Sequence, residues 1–321
     1  MTRTTTAWRE TDAMTANSED AAISWRGVKL RHERFTFGPI DCDIPKGMVT
    51  AVVGPNGSGK STLFRSLLGL EPIREGETEV LGTKLSGGRD DAYKGKIGFL
   101  AENPHQYENG LTADEKAEFA SLVYASWDWD RYRKLMRHFD VDGGVKLSKL
   151  SKGMRRKAEL SVAMAHDPEL LLLDEPSSGL DPFAWRTMLE QLQRYMEPGD
   201  RTILIATHII AEVQRLADYI LFLNRGKVLG LYEKDRLLDE WRTIVLQAST
   251  NAAQADARTL QAAPGLQSFT EAGSGIYRLE VDDSEQAESY CRANGFQVLG
   301  VQRMELEDIL SCLIRKEEAK R

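Results

Sequence analysis

Residues 54–62 read Gly-Pro-Asn-Gly-Ser-Gly-Lys-Ser-Thr. Gly54, Gly59, Lys60 and Ser61 stand at the fixed positions of G-x-x-x-x-G-K-[ST]. Pro55, Asn56, Gly57 and Ser58 fill the interval, and Thr62 follows. The chemistry of such a segment is phosphate binding. Glycines let backbone amides converge on phosphate oxygens with no Cβ in the way. Lys60 offers a charge to the β- and γ-phosphates, and the Ser61 hydroxyl suits Mg²⁺. A second cluster lies downstream, where the apolar run Leu170-Leu171-Leu172-Leu173 ends in Asp174 and Glu175. An aspartate at a strand tip orients Mg²⁺ or its water. A glutamate one residue on points elsewhere and can polarise an attacking water. Alone, such an acid pair is as readily solvated surface or a helix cap. Behind a phosphate loop it reads as the second half of a nucleotide-hydrolysing site.

The elements that must position these residues follow from the same pattern. Residues 49–53 form a short β-branched strand before the loop, and 61–70 a helix after it, whose N-terminus adds a positive dipole end. Strands are expected over 96–101, 170–173 and 201–207, and helices over 151–165 and 209–217. Thr112-Ala113-Asp114-Glu115 is a capping box that opens a helical stretch. Residues 219–223 and 228–231 flank the turn Asn224-Arg225-Gly226-Lys227 and read as a hairpin. Buried apolar strands alternating with helices argue for an α/β domain with a largely parallel sheet. From about residue 240 the order becomes strand 244–248, helix 252–262, two strands within 266–281 around Gly273-Ser274-Gly275, helix 284–293, strand 296–301 and helix 306–315. This βαββαβ order plus a helix suggests a small ferredoxin-like α+β domain. The expected division is a mobile tail over 1–22, in which Met14 is a second possible start, a main domain over 23–240 and an accessory domain over 241–321.

Composition bounds the function classes. The 321 residues suit roughly two domains. With 41% apolar and 28% charged residues, the chain is neither wholly disordered nor fibrous. Lys and Arg number 42 against 49 Asp and Glu, a net charge of −7, so no nucleic-acid partner is expected. The longest apolar run is 219–223, far short of the roughly 20 residues a membrane-spanning helix needs. No apolar signal segment opens the chain. Cys42, Cys291 and Cys312 are odd in number and far apart, which supports buried thiols in a reducing cytosol rather than a disulfide framework.

Three further segments complete a pattern. Residues 150–154 read Leu-Ser-Lys-Gly-Met, residues 178–181 read Ser-Gly-Leu-Asp, and His208 follows the strand at 201–207. In this order, with the loop and the acidic strand end, the chain resembles the ATP-binding subunit of ABC transporters across 23–230. The resemblance implies a P-loop NTPase fold of the ABC type with a helical subdomain. It implies an ATPase that couples ATP hydrolysis to transport, with ATP and Mg²⁺ bound. Lys60, Glu175 and His208 would be catalytic, with Glu175 as base and His208 holding Glu175 and the water in register at the γ-phosphate. Ser61, Asp174 and Glu102 would face the metal. Ser151 and the Gly153 amide would complete the site of a second subunit, and Asp181 would communicate across that dimer. By residue type alone, Ser151 is a helix N-cap and Asp181 a cap before a helix beginning at Pro182. The implied partners are a membrane-spanning permease, docked on the helical region near 103–145, and a second ATPase subunit in a homodimer or pseudo-symmetric heterodimer. The implied location is cytoplasmic, peripheral on the inner face of the cell membrane.

The chain departs from the family pattern at several places. Glu102 stands where glutamine is usual; a carboxylate approaches Mg²⁺ through water but cannot donate as an amide does. Gln106 is a weaker alternative. Lys152 and Met154 replace a glycine and a glutamine. This form, with the C-terminal extension, looks like the branch serving ABC-2-type exporters of peptide antibiotics, lipids or surface polymers. Trp127-Asp128-Trp129-Asp130 also resembles that branch, and equally reads as two packing tryptophans and a helix cap. His32 and Phe35 are candidates to stack on adenine, and Phe35 is equally a core residue. Two other functions stay open: a soluble ABC-type ATPase acting as a mechanical switch on ribosome or DNA, and a non-catalytic nucleotide-binding scaffold. A single such domain, no sustained heptads and the acidic charge weigh against the first. Lys60, Asp174, Glu175 and His208 together weigh against the second.

Overall fold

The computed structural model describes residues 20–30, 36–85, 92–103, 106–248, 257–273 and 275–319. Residues 1–19 of the tail expected over 1–22, the adenine candidates His32 and Phe35, and residues 252–256 of the helix expected at 252–262 lie outside the described residues. Ala21 and Ala22, placed in that tail, instead begin the first strand, and the described part of the expected helix is a single turn over Ala257–Leu260. Strands and helices are numbered separately in chain order.

Leu170–Asp174 (β7) is fully buried along its length, as an apolar strand covered on both faces must be. It sits inside a six-stranded sheet of order β10-β9-β3-β8-β7-β6. The other strands are Val49–Val53 (β3), Ile97–Leu100 (β6), Thr202–Thr207 (β8), Tyr219–Asn224 (β9) and Lys227–Glu233 (β10). β6, β7, β8, β3 and β9 run parallel. β10 returns through a two-residue turn at Arg225 and Gly226, both at positive φ, which matches the twist of a tight hairpin.

Helices connect the parallel strands. Lys60–Leu67 (α1) follows β3 and stops earlier than the periodicity predicts, because Gly69 takes φ +70 just beyond its end. Ala113–Val123 (α2), Trp129–His138 (α3) and Lys152–Met164 (α4) lie between β6 and β7. Thr112 and Glu115 form the expected capping box at 3.1 and 2.7 Å. Asp128 caps α3 by accepting from Asp130 and Arg131, and Trp127 meets Trp129 edge-on at 5.6 Å. Pro182–Met196 (α5) leads to β8, and Ile210–Leu216 (α6) to β9. A separate antiparallel sheet, β2-β1-β4-β5, comprises Ala21–Leu30 (β1), Phe37–Pro45 (β2), Ile73–Val80 (β4) and Thr83–Lys84 (β5). Trp25, Phe37, Ile40 and Ile44 from it share one core with Leu63, Phe64, Leu172 and Leu221.

The chain clusters into two compact units that divide between Leu231 and Tyr232. The second contains Lys234–Glu240 (α7), Arg242–Ala248 (β11), Ala257–Leu260 (α8), Leu266–Gly273 (β12), Ile276–Val281 (β13), Ser284–Ala293 (α9), Phe296–Arg303 (β14) and Leu306–Ala319 (α10). Its sheet order, β12-β13-β11-β14, is antiparallel throughout, the ferredoxin-like arrangement expected from the element order. Ile244, Leu246, Leu279, Ala287, Cys291 and Phe296 fill its core.

Candidate active site

Parallel strands leave together at one edge of a sheet, and that edge carries the chemistry. Val53 at the end of β3 is in register with Thr207 at the end of β8, and Asp174 at the end of β7 with Ala206. The loop at 54–59, the acidic pair and His208 therefore emerge side by side.

The loop is shaped by its glycines. A Cβ on Gly54 would lie 2.0 Å from the Leu223 carbonyl oxygen, and one on Gly59 would lie 2.3 Å from the Phe37 ring. Gly59 also takes φ +109 as the residue before α1. Helix α1 begins with no side-chain cap, which leaves its first N–H groups for an anion at the loop. Lys60 is 6% exposed; its Nζ donates to the Gly54 carbonyl at 2.9 Å and stands 3.8 Å from Oε1 of Glu175. Pro55, Asn56 and Gly57 are exposed on the rim, Ser58 is buried beneath, and Thr62 is half-buried.

Asp174 is 4% exposed and accepts a hydrogen bond from the Ser61 hydroxyl. Burial pushes its carboxyl up to about 6. The Ser61 bond and the Lys60 charge oppose that rise, and the charges of Glu102 and Glu175 add to it. Its Oδ1 is buried with no hydrogen-bond partner among the described residues. An orphaned carboxylate oxygen beside a serine hydroxyl is an oxygen donor set that fits Mg²⁺. Glu102 is exposed at the end of β6, and its carboxylate acts on Asp174 through charge.

Glu175 is buried at φ +47, a left-handed conformation that costs a non-glycine residue about 1 kcal/mol or more. Its amide donates to the Ala206 carbonyl at 2.8 Å. Its Oε2 lies 2.8 Å from Nδ1 of His208, whose side chain is half exposed. One carboxylate thus faces the loop lysine on one side and the histidine on the other.

The structure brings Lys60, Ser61, Asp174, Glu175 and His208 together. Ser151, Gly153 and Asp181 stand elsewhere, with no hydrogen bond or ion pair to that group among the described residues. Ser151 is an exposed N-cap accepting from the Met154 amide at 3.1 Å. Asp181 caps α5, and the amides of Ala184 and Phe183 hold its carboxyl below the usual range. Lys152 donates to Ser178 Oγ at 3.1 Å, and its stem passes so close to Gly179 that a Cβ there would lie 2.3 Å away. A Cβ on Gly153 would lie 3.3 Å from Leu180.

Two buried charged residues at the site escape the sequence reading. Glu212 on α6 accepts from Ser177 and Thr207, and burial raises its carboxyl. Arg156 on α4 is 3% exposed and donates only to backbone carbonyls. The basic run Arg155-Arg156-Lys157 carries no signal that its middle member is buried.

Comparison with known proteins identifies the family. The model of the ABC transporter family matches residues 37–178. The lantibiotic transport ATP-binding protein SrtF of Streptococcus pyogenes is 32% identical over 205 residues, covering 63% of this chain and 86% of that protein. Nod factor export ATP-binding protein I of Sinorhizobium fredii is 30% identical over 239 residues, covering 71% and 68%. Among solved structures, the ATP-binding subunit of an ABC transporter superposes with a TM-score of 0.61 at 27% identity, covering 68% of this chain and 92% of that one.

Proposed function

The chain belongs to the ATP-binding subunits of the ABC transporter family, ATPases that bind ATP, and from that premise we propose that it powers an ABC-2-type exporter. The observation that carries the reading is the convergence of Lys60, Asp174, Glu175 and His208 at one sheet edge. The names of the lantibiotic and Nod factor relatives support the export direction.

In this reading Lys60 and the loop amides hold the β- and γ-phosphates. Glu175 accepts a proton from the attacking water at a carboxylate oxygen, and His208 fixes that carboxylate's orientation through Oε2. Mg²⁺, when bound by Ser61 and Asp174 with Glu102 nearby, supplies charge neutralisation. Catalysis is positioning plus charge stabilisation. Ser151 and Gly153 serve the nucleotide of a second ATPase subunit, and Asp181 lies at that contact. The second subunit is a copy of this chain or a related one. The ATP-binding domain extends to about Leu231 rather than residue 240, and the accessory domain begins at about Tyr232.

Among the described residues no helix is long and apolar enough to cross a membrane. A permease supplied by another chain therefore completes the transporter, with this chain on the inner membrane face. Its docking surface is the helical region, where Phe119, Leu122 and Val123 project from one face of α2 and Leu122 is 83% exposed. Affinity purification of the Glu175→Gln protein with ATP, after gentle detergent extraction of its native cell, tests the assignment. A stoichiometric multi-spanning partner is expected. Recovery of ribosomes, of DNA or of the soluble chain alone would contradict it.

A further inference from the structure

Arg156 lies on α4 one turn beyond the Ser151–Gly153 segment and reaches into the interior. Its Nε donates to the Pro176 carbonyl at 3.2 Å. Its Nη1 donates to Ala101 and, at 3.2 Å, to Glu102. Its Nη2 donates to Asp174 and, at 2.7 Å, to Glu175. A guanidinium has five N–H donors in a planar fork, and here five backbone carbonyls receive them. Those carbonyls belong to two separate segments: the end of β6 with the loop after it, and the strand end that carries the acidic pair.

We propose that Arg156 is a positioning residue of the ATPase reaction, which sets where the Glu175 carboxylate stands and ties it to α4 and to the loop at Ala101–Glu102. The proposal rests on the reading of Glu175 as the group that polarises water. Glu175 sits in a conformation that a non-glycine residue leaves when it can. Its amide is held by Ala206 and its carbonyl by Arg156, so the peptide units on both sides of its Cα are pinned. The carbonyl of the preceding Asp174 is held by the same guanidinium. A shift of α4 or of the Glu102 loop is therefore delivered to the backbone that aims the carboxylate between Lys60 and His208. The same side chain could not do this as a lysine, because an ammonium has three donors radiating from one point and cannot span two segments in a plane. Burial lowers the guanidinium's pKa, and the charges of Glu159, Asp174, Glu102 and Glu175 oppose that shift, so it stays a cation.

The test uses the full-length chain with ATP and Mg²⁺, and compares Arg156→Lys and Arg156→Gln with the parent. Arg156→Lys keeps a buried cation, so it preserves the comparison should Arg156→Gln fail to fold. The expected result is a fall in kcat of about 10- to 100-fold, with affinity for a fluorescent ATP analogue held within about 3-fold. In a Glu175→Gln background, Arg156→Lys should slow single-turnover hydrolysis by less than about 2-fold, because the group it positions is already gone. Unchanged kcat in the Arg156 variants would overturn the proposal, as would an equal loss in both backgrounds, which marks a merely structural role. If Glu175→Gln alone turns over normally, the reading of Glu175 fails and the proposal falls with it.

Discussion

His208 Nδ1 lies 2.8 Å from Oε2 of Glu175, so the loop after β8 and the strand end after β7 meet through one hydrogen bond. A carboxylate only accepts, so Nδ1 carries the proton. Nε2 of the half-exposed ring then bears a hydrogen only in the imidazolium form. His208 can therefore donate to a phosphate oxygen and hold Glu175 at the same moment only when charged. His208→Ala should bind ATP with nearly parental affinity and hydrolyse it at least about 10-fold more slowly, as measured by phosphate release.

Lys60 faces three partners, the Gly54 and Pro55 carbonyls and the Glu175 carboxylate, and the phosphates would take their place. Lys60→Ala removes the only lysine at this loop and leaves Glu175 without its nearby ammonium. ATP affinity should fall by at least about 10-fold, or about 1.4 kcal/mol. A fluorescence titration under non-hydrolysing conditions measures it, and parental affinity would refute the loop assignment.

Asp174 is held charged where burial opposes it. Its folded-state value of about 6 lies above the ordinary aspartate value, so the carboxyl destabilises the metal-free fold as pH rises through 6. Asp174→Asn should therefore raise the stability of the metal-free protein at pH 7.5 by about 2 kcal/mol. It should also abolish any gain in nucleotide affinity from Mg²⁺. Denaturant unfolding without metal and titrations with and without Mg²⁺ check both halves.

The loop, the acidic strand end and His208 were legible because their chemistry demands particular residue types at fixed spacing. Parallel strand ends then had to bring them together. The capping box at Thr112 and the Asp128 cap were legible for a local reason, since each bond spans three residues or fewer. Arg156 was not legible. Its partners are main-chain carbonyls from distant segments, which carry no side-chain identity, and an arginine between two basic neighbours reads as a solvated helix face. Glu212 escaped for the same reason, because Ser177 and Thr207 become its neighbours only when β7 and β8 pair. The end of α1 was overrun because helical periodicity continues through Leu68 and Leu70, whereas the positive φ of Gly69 stops the helix.

A second histidine gives a pH prediction away from the site. His166 is buried, stacks on Tyr124 at 3.9 Å and donates from Nε2 to the Ile97 carbonyl at 3.2 Å. Burial lowers its value to about 4, with the Ile97 bond opposing the shift. The unfolded ring, near 6.5, binds a proton that the folded ring refuses, so stability is lost as pH falls from 6.5 towards 4. His166→Gln keeps a donor for Ile97 and removes the titration. Between pH 7.5 and pH 5 the parent should lose about 2 kcal/mol more than the variant in denaturant unfolding. Equal losses would contradict the assignment.

In the proposed mechanism Glu175, aimed by its backbone and held by His208, polarises the water that attacks ATP. The most direct measurement is single-turnover ATP hydrolysis by the parent chain and by Glu175→Gln, with bound nucleotide quantified in the same samples. Glu175→Gln should retain ATP and hydrolyse it at least about 100-fold more slowly. Hydrolysis by Glu175→Gln at a rate close to the parent's would contradict that mechanism.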